Sequence, residues 1–216
     1  MMPTLFTKRR ALKLLCLGAH SDDIEIGCGG TVLRFLEEFP GAQVHWVVLG
    51  AGNPQRASEA TRSAQAFLHQ AGKRTIIVKG FRDGYLPYTG GEVKDFFEQL
   101  KGNISPDLIL THYRKDLHQD HRLVCDLTWN TWRDHLIWEY EVPKYDGDLG
   151  TPNIYVSLNK EICRRKIAYI KRYFATQRSK RWFTPDVFEA ILRLRGIEAA
   201  GPHPFAEAFY GRKMLI

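Results

Sequence analysis

The sequence predicts an α/β protein, a Rossmann-like three-layer sandwich with a mostly parallel sheet and a C-terminal α/β elaboration, and three observations predict it. Short apolar or β-branched runs alternate with segments of helical period, the loops between them are short, and the first run leads through a polar turn into a glycine-rich helix entry. Units of this kind build a parallel sheet covered on both faces, with ligands collecting at the carboxyl ends of the strands. At 216 residues, 44% hydrophobic and 25% charged, the chain is long enough for one sizeable core. That composition excludes disordered, collagen-like and coiled-coil classes.

The elements follow in order. LKLLCLGA at 12–19 is a strand, and GCGGTVLRFLEEF reads as the entry and body of a helix. QVHWVVL at 43–49 is a second strand, and the alanine-rich stretch 56–71 has a 3.6-residue period. A third strand is expected over 75–78, a helix over 93–100, and a fourth strand in DLILTH after Pro106, with the next helix opening near His121. Beyond about residue 136 the pattern changes: IWEYEV and IYVSL alternate like strands, YDGDLGTPN is turn-rich, and 159–174 is a long helix. Thr184 and Pro185 form an N-cap and first-turn pair, Gly196 a helix stop, and AEAFYGRKMLI a last strand or extended tail. One domain over 1–216 is expected, with a core at about 11–135 and the elaboration at about 136–216.

Four widely spaced cysteines, Cys16, Cys28, Cys125 and Cys163, make neither a metal motif nor a disulfide framework, and point to a reducing, cytoplasmic setting. MMPTLFTKRR at the start reads as neither signal peptide nor membrane span, and no run of about 18 apolar residues follows. The net charge of +7 favours anionic partners without choosing among them. It is concentrated: residues 160–195 hold eleven basic residues against three acidic ones, either a solvated helical face or an anion site.

Two polar clusters fall where such a sheet places its site: HSDDIE, with His20, Asp22, Asp23 and Glu25, after the first strand, and HQDH, with His118, Asp120 and His121, after the fourth. A catalytic zinc site needs three nitrogen or carboxylate ligands and one open position. His20, Asp23 and His121 supply that set. Asp22 then suits the removal of a proton from an activated water, and His118 suits protonation of the leaving group or stabilisation of an oxyanion. Each cluster alone also reads as a turn, a helix cap or a surface accident.

HSDD with the following GCGGT resembles the AHPDDE signature of the N-acetylglucosaminyl deacetylase family, the LmbE-like or PIG-L deacetylases. Arg56 and Glu59 in RASE, the HQDH element and AEAF at 206–209 resemble its remaining marks, in order and over nearly the whole chain. The resemblance implies that His20, Asp23 and His121 bind Zn²⁺ or another divalent ion such as Fe²⁺, and that Asp22 is the general base. It further implies that His118 is the acid and oxyanion partner tuned by Asp120, and that Arg56 holds substrate. The implied reaction is hydrolysis of an N-acyl, chiefly N-acetyl, amide on an amino sugar or sugar conjugate, neutral or anionic; a homo-oligomer is an assembly the sequence leaves open. Ser21 in place of proline, and Ile24 ahead of Glu25, depart from the pattern without removing a ligand or the base.

Other residues carry alternatives. GCGG is not GxGxxG, so its glycines serve close helix packing rather than a dinucleotide. Cys28 is a soft ligand or a small buried hydrophobe, His45 and His69 are structural or exposed, and His112 lines the pocket or sits in the core. Trp129, Trp132, Trp138, Tyr140 and Tyr145 are core residues or sugar-stacking platforms. FRDGYLPY at 81–88 is a loop over the site or a simple turn, and Gln177, Arg178, Lys180 and Arg181 meet a diphosphate or only solvent. The competing functions are a nucleic-acid-binding protein using residues 160–195, and a metal hydrolase of another bond such as a phosphoester; neither displaces the deacetylase reading.

Overall fold

The computed structural model describes residues 11–214. Its elements are β1 (Lys13–His20), α1 (Asp23–Glu38), β2 (Gln43–Gly50), α2 (Pro54–Phe67), β3 (Lys73–Val78), α3 (Gly90–Asn103), β4 (Leu108–His112), α4 (Gln119–Thr131), β5 (Ile137–Tyr140), β6 (Ile154–Leu158), α5 (Lys160–Tyr173), α6 (Pro185–Ala199) and β7 (Phe205–Gly211). They form one seven-stranded sheet of order β3-β2-β1-β4-β5-β7-β6. The first five neighbours are parallel, and β7 runs antiparallel to both β5 and β6.

Both faces of the central strands are apolar because both are covered. Along β1, Leu14 and Cys16 enter the core under α1, α2, α5 and α6, while Leu15 and Leu17 enter the core under α3 and α4. The two-residue side-chain period makes this division automatic. Asn53 caps α2 by accepting from the Gln55 amide at 2.8 Å, and Asn159 caps α5 through the Ile162 amide at 2.8 Å. Each cap stabilises its helix by about 1 kcal/mol.

The glycines after the first strand lie inside α1, which already begins at Asp23. Gly27 explains why one is needed: a Cβ there would lie 2.1 Å from the Tyr140 ring on β5, so only glycine lets α1 rest on the sheet. Gly196 is not a helix stop. α6 continues to Ala199 and ends with Ala200 in the left-handed region at φ 47°, while a Cβ at Gly196 would meet the Pro204 carbonyl oxygen at 2.2 Å. Helix α2 starts at Pro54 and ends at Phe67, so His69 falls in the turn beyond it, and α4 opens at Gln119. The N-terminal MMPTLFTKRR lies outside the described residues, among which no helix is long and apolar enough to cross a membrane.

The chain crosses from the β2 side of β1 to its β4 side, and that switch point lies between β1 and β4, paired from Leu14↔Leu108 to Cys16↔Leu110. A crevice at the carboxyl ends of such strands is where open α/β sheets bind ligands.

Candidate active site

The β1–α1 turn and the β4–α4 loop meet in that crevice. His20 is the last residue of β1, Asp23 the first of α1, and His121 lies in the first turn of α4. Their donor atoms form a closed triangle: His20 Nδ1 to His121 Nε2 is 3.1 Å, His20 Nδ1 to Asp23 Oδ2 is 3.2 Å, and His121 Nε2 to Asp23 Oδ2 is 3.5 Å. Tetrahedral bonds of about 2.0–2.1 Å require donors about 3.3 Å apart, so two imidazoles and one carboxylate fit a single zinc-like or iron-like cation.

Each imidazole is oriented from behind. His20 Nε2 sits 3.1 Å from Asp120 Oδ2, and His121 Nδ1 sits 2.9 Å from Asp116 Oδ2. A carboxylate on the far nitrogen selects the tautomer that points its lone pair at the donor triangle. Asp116 is itself held by Lys144 Nζ at 2.9 Å and by the His118 amide at 2.8 Å. Neither Asp116 nor Lys144 stands within the HSDD or HQDH clusters. The available signal was an acid two residues before His118 in KDLH, the spacing of a side chain that closes a turn, together with the need of a ligating imidazole for an acceptor.

Asp120 does more than face His20, since it also accepts from the Gly84 amide at 2.7 Å and the Leu86 amide at 3.2 Å. It thereby ties the 81–88 loop over the site, where Gly84 adopts φ +77° and Asp83 Oδ1 reaches to 3.1 Å from His20 Nε2. The Asp120 amide donates to His118 Nδ1 at 3.2 Å, so the neutral His118 ring carries its proton on Nε2. His112, fully buried, lies behind the triangle: its Nε2 accepts from the Ala19 amide at 2.9 Å and its ring stacks on His121 at 3.9 Å. It is a core histidine that also touches the site.

Asp22 lines the same cavity, of about 240 Å³, with His20, Asp23, Arg56, His118 and His121. Arg56 donates to Asp22 Oδ1 at 2.6 Å, and also to Glu59 and Thr176. Burial raises the pKa of Asp22 against the opposing pull of Arg56. Burial would raise Asp23 too, but the charges of His121, His20 and His112 hold it well below the usual range. Burial and His112 push His121 down to about 4, whereas Asp23 and Asp120 overcome burial and raise His20. Burial and the His20 charge lower His118.

The remaining wall comes from beyond residue 136: Lys144, Tyr145, Gln177, Lys180 and Trp182. Trp132, Trp138 and Tyr140 belong to the core. Arg178 turns its guanidinium to the Lys171 carbonyl at 2.8 Å, and neither it nor Arg181 lines the cavity, so the diphosphate expectation narrows to Gln177 and Lys180. Within the basic segment, Lys166 is paired with Glu207 at 2.6 Å and Arg195 with Glu141 at 2.7 Å, all buried. Cys28 is buried on the core side with its thiol pKa raised by burial, the behaviour of a small hydrophobe.

The sheet with helices on both faces is an LmbE-like, Rossmann-like α/β fold. Residues 15–132 match the family model described as PIG-L, GlcNAc-PI de-N-acetylase, and the chain belongs to this deacetylase family. It is 28% identical over 171 residues to the uncharacterized deacetylase YaiS of Escherichia coli K12, covering 74% of this chain and 89% of that protein. Its fold is similar to that of N,N'-diacetylchitobiose deacetylase from Pyrococcus horikoshii (TM-score 0.74, 20% identity, 94% of this chain and 85% of that one). It is likewise similar to the zinc-inhibited form of the teicoplanin deacetylase Orf2 (TM-score 0.72, 16% identity, 93% and 97%).

Proposed function

We propose that the protein hydrolyses the N-acyl amide, most directly an N-acetyl group, of an amino sugar or sugar conjugate, using a divalent ion such as Zn²⁺ or Fe²⁺ held by His20, Asp23 and His121. The observation that carries this reading is the closed donor triangle with an unshared carboxylate, Asp22, on the wall of the same cavity. Family membership supports it, as do the activities for which the chitobiose and teicoplanin deacetylases are named. A cation bound there would polarise the acyl carbonyl and make the attacking water more acidic.

The chain's own groups move the protons. Asp22, oriented by Arg56 and made more basic by burial, takes a proton from water as the new C–O bond forms. His118 faces the oxyanion through Nε2 and, when protonated, is a strong acid because burial and His20 lower its pKa. It delivers a proton to the amide nitrogen as the C–N bond breaks, the proton on Asp22 returns to it, and the remaining carboxyl proton passes to the freed amine, leaving acetate and a protonated amine. Asp120 fixes His20 and raises His118 through its charge. Tyr145 and Trp182 offer faces for a sugar ring, and exposed Lys180 suits an anionic substituent. Four unpaired cysteines support a reducing, cytoplasmic setting.

The test is acetate release from a panel of N-acetylated amino sugars by the zinc-loaded protein, with the freed amine measured in parallel. Activity lost on chelation, and reduced by a factor of about 10² to 10⁴ in Asp22→Asn, is expected. Asp22→Asn turning over at the wild-type rate would remove the base assignment.

A further inference from the structure

A second groove, of about 410 Å³, lies where the carboxyl end of α4 meets the residues following β7 and β4, and it shares no lining residue with the cavity above. Its walls carry Arg114, Arg133, Arg212 and Lys213 around Trp129, with Asp126 as the one carboxylate. Three of these cations crowd a single indole: Arg212 Cζ lies 4.5 Å from the ring centroid, Arg114 Cζ 5.9 Å and Lys213 Nζ 6.0 Å. The ring is anchored by its Nε1, which donates to Glu139 at 2.6 Å. The other oxygen of that buried carboxylate accepts from the Arg114 amide at 2.9 Å, so Glu139 is engaged beneath the groove.

Attraction to an aromatic face is worth about 0.5–1 kcal/mol per exposed cation, which does little against the mutual repulsion of four positive groups. Asp126 is more than half exposed and stands 3.9 Å from Arg114. Among the described residues Arg212 and Arg133 have no carboxylate partner, and Lys213 donates to the Arg133 carbonyl. An oxyanion would relieve this repulsion, and guanidinium forks bind phosphate oxygens in pairs. The groove is too large for inorganic phosphate alone and lies within the range of small-molecule sites, about 300–1,000 Å³.

We propose that this groove binds the phosphate group of a phosphorylated small molecule, at a site independent of the deacetylase reading. Titration of the full, metal-free chain with inorganic pyrophosphate, followed by calorimetry and tryptophan fluorescence, tests it. One site per chain, weakening as salt rises, is expected, with affinity at least about tenfold lower in Arg212→Ala and unchanged in Lys180→Ala. Wild-type affinity in Arg212→Ala, or loss of binding in Lys180→Ala, would overturn the site. So would displacement of pyrophosphate by a single-stranded oligonucleotide that binds more tightly, since the groove would then be a nucleic-acid surface.

Discussion

The two sides of the active-site cavity use charge differently. On the side built by residues 11–135, His20, Asp22, Asp23, His118 and His121 all border the cavity. On the side built by residues 136–214, the deeply buried charges serve other protein groups: Lys166 bonds Glu207 and the Ile26 carbonyl, Arg195 bonds Glu141, and Lys144 bonds Asp116. Glu207 also accepts from the Gly30 and Thr31 amides at 2.8 and 2.6 Å, so β7 and α5 together grip the helix that begins with Asp23. The first side presents reactive groups and the second holds them in place. A local charge excess in the sequence is therefore a poor map of ligand contact, because a buried cation must find a protein carboxylate or lose more in desolvation than it can regain.

The largest effect expected is on the supporting side. Glu207→Gln leaves the Lys166 ammonium buried without its counter-charge and should lower unfolding stability by about 3–5 kcal/mol in urea denaturation. Most of that loss should return in the double variant Lys166→Met/Glu207→Gln; if it does not, the pair is not the support described.

Next comes Glu25, whose fully buried carboxyl is pushed up to about 8, chiefly by burial. The unfolded carboxyl ionises near its ordinary pKa while the folded one keeps its proton, so stability falls as pH rises between these two values. In the metal-free protein, Glu25→Gln should gain on the wild type by about 3 kcal/mol between about pH 5 and pH 8, read from thermal unfolding. A difference independent of pH would show that Glu25 is ionised in the fold.

Asp116→Asn tests the link between the two sides. Losing the carboxylate that Lys144 presents to His121 should weaken zinc binding by about 10–100-fold, measured by competition with a chelating dye, with the fold retained. The smallest effect belongs to Lys180, exposed and without an acidic partner among the described residues. Lys180→Ala should raise KM a few-fold for anionic substrates and leave kcat unchanged. An equal change for neutral substrates would assign Lys180 to packing with Trp182, 5.5 Å away, instead of to charge recognition.

Much of the fold was legible because β1, β2 and β4 are continuous apolar runs that no surface element could carry, and the helices between them have unbroken period. The candidate donors were legible for the same reason: His20 and His121 stand in dense polar clusters directly beyond such runs. Gly196 misled because a glycine near a helix end has two readings, a stop or a close contact, and only the position of Pro204 separates them. β7 could not be placed: a strand 65 residues beyond β5 inserts between β5 and β6, and nothing local encodes that pairing.

The sequence by itself determined the kind of protein: alternating periods dictate covered parallel strands, and two histidine-aspartate clusters at strand ends dictate where reactive groups gather. Tertiary structure alone decided that the three donors lie 3.1–3.5 Å apart, that Asp116 and Asp120 back the two imidazoles, that Lys166 and Arg195 are supports away from the cavity, and that Lys144 holds Asp116 while bordering it. The reason is physical. Backbone period is set by neighbours in the chain, whereas a charge acts on whatever the fold brings within a few ångströms, at any distance along the sequence.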